Sequence, residues 1–126
     1  MALTRWVPAD LDPQLLKGVL SILLLHLLAE QESYGYELVK RLHDAGLTEV
    51  LEGTVYPALA RLEREQRISS RLIPSTAGPA RKYYRPTPEG YTALADGTRR
   101  WQALTDAVSR QVTRPLPATP KEGTPS

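Results

Sequence analysis

Seven of the nine charged residues between Gly53 and Pro86 are basic: Arg61, Arg64, Arg67, Arg71, Arg81, Lys82 and Arg85 stand against Glu63 and Glu65. Residues 1–52 have the opposite balance, with four basic and eight acidic residues, and the whole 126-residue chain carries only +2. The total charge does not demand a polyanionic partner, but cations concentrated in the middle third point to one. The stretch from Gly53 to Glu65 reads as a helix with two unlike faces. At ~100° per residue, Val55, Leu59 and Leu62 form an apolar stripe, and Thr54, Pro57, Ala60, Arg61 and Arg64 fall opposite. A hydroxyl, small residues and two guanidiniums on one surface can approach a duplex and bond base edges or phosphates. Pro57 is expected in the first turn, where backbone donors are orphaned anyway. The same pattern describes an ordinary amphipathic helix with a solvated face, so the flanking segments must decide.

Other chemistries find little support. The chain has no cysteine, hence no disulfide framework and no thiolate metal site. Its two histidines lie at no usual zinc spacing, so no metal is expected. His26 is expected to be buried and satisfied by a neighbour, and His43 to be exposed. No nucleophile stands beside a base at motif spacing, and there is no phosphate-cradling glycine loop or distinctive carboxylate pair. The sequence therefore predicts no enzyme and no cofactor. The N-terminus lacks a secretory pattern. The apolar run Val19–Leu28 is short for a bilayer span and contains His26, which predicts a soluble cytoplasmic protein with no membrane partner.

Several elements must hold the basic face in place. Residues 1–11 read as a flexible N-terminal arm. Asp12-Pro13 opens a first helix, with the aspartate as cap and proline at the first position, running to about Ala29. Its leucines cover more than one narrow stripe, so it needs cover on two sides. Ser33 is expected to cap a second helix, Tyr34 to Ala45, with Gly46 as its stop. That helix turns Leu38 and Leu42 inward and Lys40, Arg41 and Asp44 outward. After the central helix, 68–73 and 81–85 read as a hairpin around the turn cluster 75–80. Alternation puts Lys82 and Tyr84 on one face and Arg81, Tyr83 and Arg85 on the other. A tip carrying Gly78 beside Arg81 and Lys82 suits a sugar-phosphate backbone or minor groove. Thr87-Pro88-Glu89 then starts a last helix, 87–113. Tyr91, Leu94, Thr98, Trp101, Thr105, Val108 and Val112 make a heptad-like seam on it, widened by Leu104. The proline-rich residues 114–126 read as a disordered tail. The expected fold is mostly α: a winged helix-turn-helix of three helices and a two-stranded wing over 12–86, then a long dimerisation helix.

Taken in order, these motifs resemble the PadR family of bacterial transcriptional regulators. Leu16-Lys17-Gly18, Tyr34-Gly35-Tyr36-Glu37-Leu38 and Gly53-Thr54-Val55-Tyr56-Pro57-Ala58-Leu59 mark the three helices. Gly78-Pro79 with Arg81-Lys82-Tyr83-Tyr84 marks the wing, and Thr87-Pro88-Glu89-Gly90 follows. The resemblance covers roughly residues 14–112. It implies a homodimer in which the last helix packs on the partner's first helix. It implies a third helix in the major groove of an inverted-repeat, double-stranded operator, with the wing on the adjacent backbone. It also implies a repressor released by a small, often aromatic effector, with Trp101 at the matching position of a slot between subunits. Two positions depart from the family pattern. Gln66-Arg67 stands where the third helix usually ends in glycine, so a different ending is expected. Pro86 replaces a leucine, so the return strand is expected to finish at Arg85.

The site expected from residues and resemblance together comprises Tyr36, Thr54, Tyr56, Pro57, Arg61, Arg64, Gly78, Arg81 and Lys82 for DNA. Tyr36 and Tyr56 have two readings: a hydroxyl that reaches phosphate, or a ring packed at the helix junction. The dimer seam comprises Leu16, Leu20, Leu23, Leu27, Leu94, Trp101, Leu104 and Val108. Trp101, flanked by Ala95, Thr98 and Thr105, is either a packed anchor of that seam or one wall of an aromatic ligand slot. The alternative function is a winged-helix module that binds protein and not DNA.

Overall fold

A computed structural model describes residues 12–118, so the expected arm 1–11 and residues 119–126 of the expected tail lie outside it. The element order is α1 (Pro13–Glu30), β1 (Ser33–Tyr34), α2 (Gly35–Asp44), α3 (Glu52–Arg64), β2 (Ile68–Ser75), β3 (Gly78–Pro86) and α4 (Pro88–Val112). Asp12 caps α1 as its sequence predicts, accepting from the Gln14 amide at 2.8 Å. α1 is long and apolar enough, at 18 residues, to cross a membrane by those measures alone. Leu20, Leu24, Leu25 and Leu28 instead give one side of it to the domain core. Leu20, expected in the dimer seam, thus packs into the core of its own chain. Leu16, Leu23, Leu27 and Leu94 are partly buried against the same core.

The core is a single cluster. Leu38, Val39 and Leu42 of α2, Val55, Leu59 and Leu62 of α3, and Val50 before it meet the α1 leucines, with Ile68 and Tyr84 of the sheet as the floor. The sheet is antiparallel in the order β1-β3-β2, so the return strand lies in the middle. Its third strand went unpredicted, because two residues carry no readable period. Ser33 belongs to that strand, opposite Tyr84, and does not cap α2. Its hydroxyl donates to the Gln31 carbonyl at 3.2 Å and accepts from Arg41 at 2.9 Å. Arg41, expected to face solvent, also meets Glu30 at 3.2 Å and so clamps α2 to the end of α1.

The wing strands are longer than expected, leaving only Thr76 and Ala77 between them. Their register shifts between the Ile73–Arg81 and Ser75–Gly78 pairs, where Pro74 and Pro79 cannot donate ladder bonds. Pro86 does not stop β3 one residue early. It is the strand's last residue, buried opposite Ile68, where a missing donor ends the ladder and interrupts nothing. Both histidines also differ from expectation. His26 is exposed, with Glu30 at 3.9 Å, because it lies on the flank of α1 away from the core. His43 is partly buried, and its Nε2 lies 2.6 Å from the Val50 carbonyl, pinning the α2–α3 link.

Candidate nucleic-acid interface

The central helix has the two faces its spacing predicts. Val55, Leu59 and Leu62 are buried, and Thr54, Pro57, Ala60, Arg61 and Arg64 are all exposed. It begins at Glu52, earlier than expected, so Pro57 is its sixth residue and not in the first turn. The ring therefore removes the i→i−4 bond to Gly53, a residue on the open side where other donors can reach the freed carbonyl.

The two ends of α3 are held by different means. Before it, the Gly46 turn (φ 101°) closes α2, with the Leu47 amide donating to Leu42 at 2.9 Å. After it, Arg67 donates to Leu62 at 2.9 Å and Gln66 to Glu63 at 3.0 Å, the paired bonds of a Schellman motif. The helix thus ends as a glycine would end it, although the left-handed residue is Gln66 (φ 63°). Expectation placed a different ending here. The bonds to Leu62 and Glu63, with the contacts of Thr87, hold glutamine in a conformation costing about 1–2 kcal/mol. Thr87 Oγ1 donates to the Gln66 carbonyl at 2.7 Å and accepts from the Gly90 amide at 3.0 Å, while its own amide donates to Arg67 at 3.0 Å. The cap of α4 is therefore fastened to the end of α3.

Tyr56 packs at the helix junction and still keeps part of its surface open. Its ring lies over Gly35 so closely that a Cβ there would overlap it, yet the residue remains 43% exposed. Burial raises its hydroxyl pKa, with Glu52 adding to the effect, so it stays a hydrogen-bond donor. Tyr36 is exposed on α2, with the Lys40 ammonium 5.8 Å from its ring centre. Arg61 reaches Ser21 of α1 at 3.4 Å, and Arg64 has no acidic partner among the described residues.

The wing divides its cations by face. On its outer face the Arg81 guanidinium lies 4.5 Å from the Tyr34 ring centre, and Tyr34 meets Tyr83 edge-on at 5.2 Å. Arg71 forms a bidentate pair with Glu32, both contacts 2.8 Å, and this hydrogen bond holds the Glu32 carboxyl below its usual pKa. On the inner face Lys82 pairs with Glu63 of α3 at 3.1 Å, and Ser70 donates to the same carboxylate at 2.6 Å. The Ser70 hydrogen bond foremost, then Lys82, lowers the Glu63 pKa against the opposing effect of burial. Lys82 thus differs from Arg64 and from Gly78 at the exposed tip, with which sequence reasoning grouped it. Glu63, Ser70, Glu32 and Tyr34 were missed as organisers. Only their charge and hydrogen-bonding types were visible, and their partners lie far along the chain, Glu32 and Arg71 39 residues apart and Tyr34 and Tyr83 farther still.

Trp101 lies apart from this face, in a groove of about 410 Å³ between α1 and α4. Gly18 and Gly97 make room, Leu15, Ile22 and Leu104 line it, and Arg100 stands at its edge. Within one chain this space is shaped by the two glycines, not by Ala95, Thr98 and Thr105, the neighbours expected from sequence.

Three helices with a hairpin after the third, and a basic exposed side on that third helix, define a winged helix-turn-helix protein. The sequence model of the transcriptional regulator PadR-like family matches residues 24–96, and the chain belongs to this family. A PadR-like transcriptional regulator of Bacillus cereus is 37% identical, with TM-score 0.73 over 81% of this chain and 99% of that one. A PadR family regulator from Eggerthella lenta is 34% identical, with TM-score 0.74 over 81% and 88%. A transcriptional regulator of Mycobacterium tuberculosis is 37% identical over 87 residues, 68% of this chain and 78% of its own length.

Proposed function

We propose that this transcriptional regulator binds an inverted-repeat duplex operator as a homodimer in the cytoplasm, α3 entering the major groove and the wing tip meeting the adjacent backbone. The observation that carries the reading is the open side of α3. Thr54, Pro57, Ala60, Arg61 and Arg64 stand exposed on a helix whose other side is wholly buried, so these side chains reach outward from a fixed support. The contact set is Tyr36, Thr54, Tyr56, Pro57, Arg61 and Arg64, joined by Gly78 and Arg81 of the wing. Two copies of α3 about one duplex turn apart would read the two half-sites. In each copy Leu104, Val108 and the rest of the α4 seam would lie on the partner.

In this reading the protein is a repressor, and a planar aromatic effector stacks on Trp101 in the α1–α4 groove. Such a ligand releases DNA only as far as it binds a mis-spaced dimer more tightly than the DNA-competent one. The DNA claim is tested by fluorescence anisotropy on the promoter of the protein's own gene. Affinity should fall steeply with salt, and Arg64→Ala should cost about 1–3 kcal/mol if Arg64 reads a base. No preference for that duplex over competitor DNA would favour a protein-binding winged helix instead. For the effector, Trp6→Tyr leaves Trp101 as the sole tryptophan. A compound that quenches it must also weaken operator binding; quenching without that loss removes the effector role.

A further inference from the structure

We propose that Lys82 is not a DNA contact but one half of a latch, and that Glu63 is the positioning residue by which the reading helix sets the wing. This rests on the DNA-binding reading above. Glu63 stands on α3, partly buried between the core stripe and the open face. One of its oxygens accepts from Ser70 of β2 at 2.6 Å, and the other pairs with Lys82 of β3 at 3.1 Å. A single carboxylate therefore ties both strands of the hairpin to the helix. The ties sit one step apart on one sheet face, since Ser70 pairs with Tyr84 and Leu72 with Lys82. The Lys82 ammonium also lies 5.6 Å from the centre of the Tyr84 ring, and Tyr84 belongs to the core.

Two physical consequences follow from this geometry. A phosphate taking Lys82 would approach the Glu63 charge and leave that partly buried carboxylate without its cation. The pair is also neutral, so it neutralises no phosphate and releases no counterion from the DNA. Arg64 and Arg85 differ, having no acidic partner within ion-pair distance among the described residues. The wing is thus held at a defined angle to the helix by a charge that sequence reasoning assigned to the DNA.

The experiment is operator affinity against salt for the full chain and its variants. Glu63→Gln frees the Lys82 ammonium, and the slope of log K against log salt should steepen by about 0.9, the value of one added phosphate contact. Lys82→Gln should leave the slope as in the wild type, while Arg64→Gln flattens it. Either latch variant should speed amide hydrogen exchange in residues 68–75 and 78–86, and the exchanged pair Glu63→Lys with Lys82→Glu should restore protection. A Lys82→Gln slope flattened as much as that of Arg64→Gln would make Lys82 a phosphate contact and end the proposal. Wild-type binding without any salt dependence would instead refute the DNA reading. In that case unchanged hydrogen exchange in Glu63→Gln would separately refute the latch.

Discussion

In α3 the apolar stripe is closed within the chain: Val55, Leu59 and Leu62 are each at most 1% exposed. In α4 a stripe of the same kind stands open, with Leu104 60%, Val108 48% and Val112 70% exposed, and only Gly90 of its 25 residues buried. Both helices are amphipathic, so periodicity does not separate them. Length and position do. α3 is enclosed by α1, α2 and the sheet. The 25 residues of α4 extend about 37 Å, beyond a 12–86 domain whose radius of gyration is about 11 Å. Its first turns meet the core through Ala93 and Leu94, and Gly97 meets Ile22 of α1. Past that point the chain offers it little cover. The lesson is that one pattern makes a core where the chain returns to it and stays an open apolar stripe where the chain leaves it.

The contrast is most easily broken by moving substitutions between the two helices. Leu59→Ala should cost about 2–5 kcal/mol in urea unfolding, the range for a buried leucine. Leu104→Asp should leave the far-ultraviolet circular dichroism intact and lower the mass seen by light scattering toward a monomer. If Leu104→Asp unfolds the chain, or leaves the mass unchanged, the open seam is not an interface.

The joint between the helices comes next. A Cβ on Gly90 would fall onto the Arg67 carbonyl oxygen, a backbone atom that cannot step aside cheaply. Gly90→Ala should therefore destabilise by about 3 kcal/mol, the upper end for overpacking. Gly18→Ala, inside α1 with nothing within 4 Å of its Cβ, is the control and should raise the melting temperature slightly, since alanine is favoured over glycine in a helix interior by about 0.5–1 kcal/mol. Equal melting temperatures for the two variants would show that α4 is not locked to the end of α3.

A smaller gain is expected at Gln66. Glycine takes its left-handed conformation freely but loses more entropy on folding. Gln66→Gly should stabilise by up to about 1 kcal/mol in chemical denaturation. A loss would mean that the glutamine side chain contributes more than its backbone strain costs.

The smallest effect is a pH dependence. The folded Glu63 pKa lies below its ordinary 4.5, so its contribution is fully present above that value and lost as pH falls through the lowered one. The stability difference between wild type and Glu63→Gln should be constant near neutrality and shrink in acid. A difference that does not shrink at all as pH falls below 4.5 would not come from the carboxylate charge.

The sequence by itself determined the four helices, the hairpin and their inward stripes. Asp12-Pro13, Gly46 and Thr87-Pro88 mark helix ends through local backbone chemistry, and a 3.6-residue period needs no distant partner to be read. Ordered motifs also sufficed for the family. Tertiary structure decided which charges are free. Lys82 and Arg64 look alike in the chain, yet one meets Glu63 across 19 positions and the other meets no acid among the described residues. It decided that Ser33 joins a sheet and Arg41 clamps a helix end. It also decided that Leu20 faces the core while Leu104 does not. A side chain's partner depends on how segments far apart in sequence come together, and electrostatic pairing acts over a few ångströms of space, not over sequence distance.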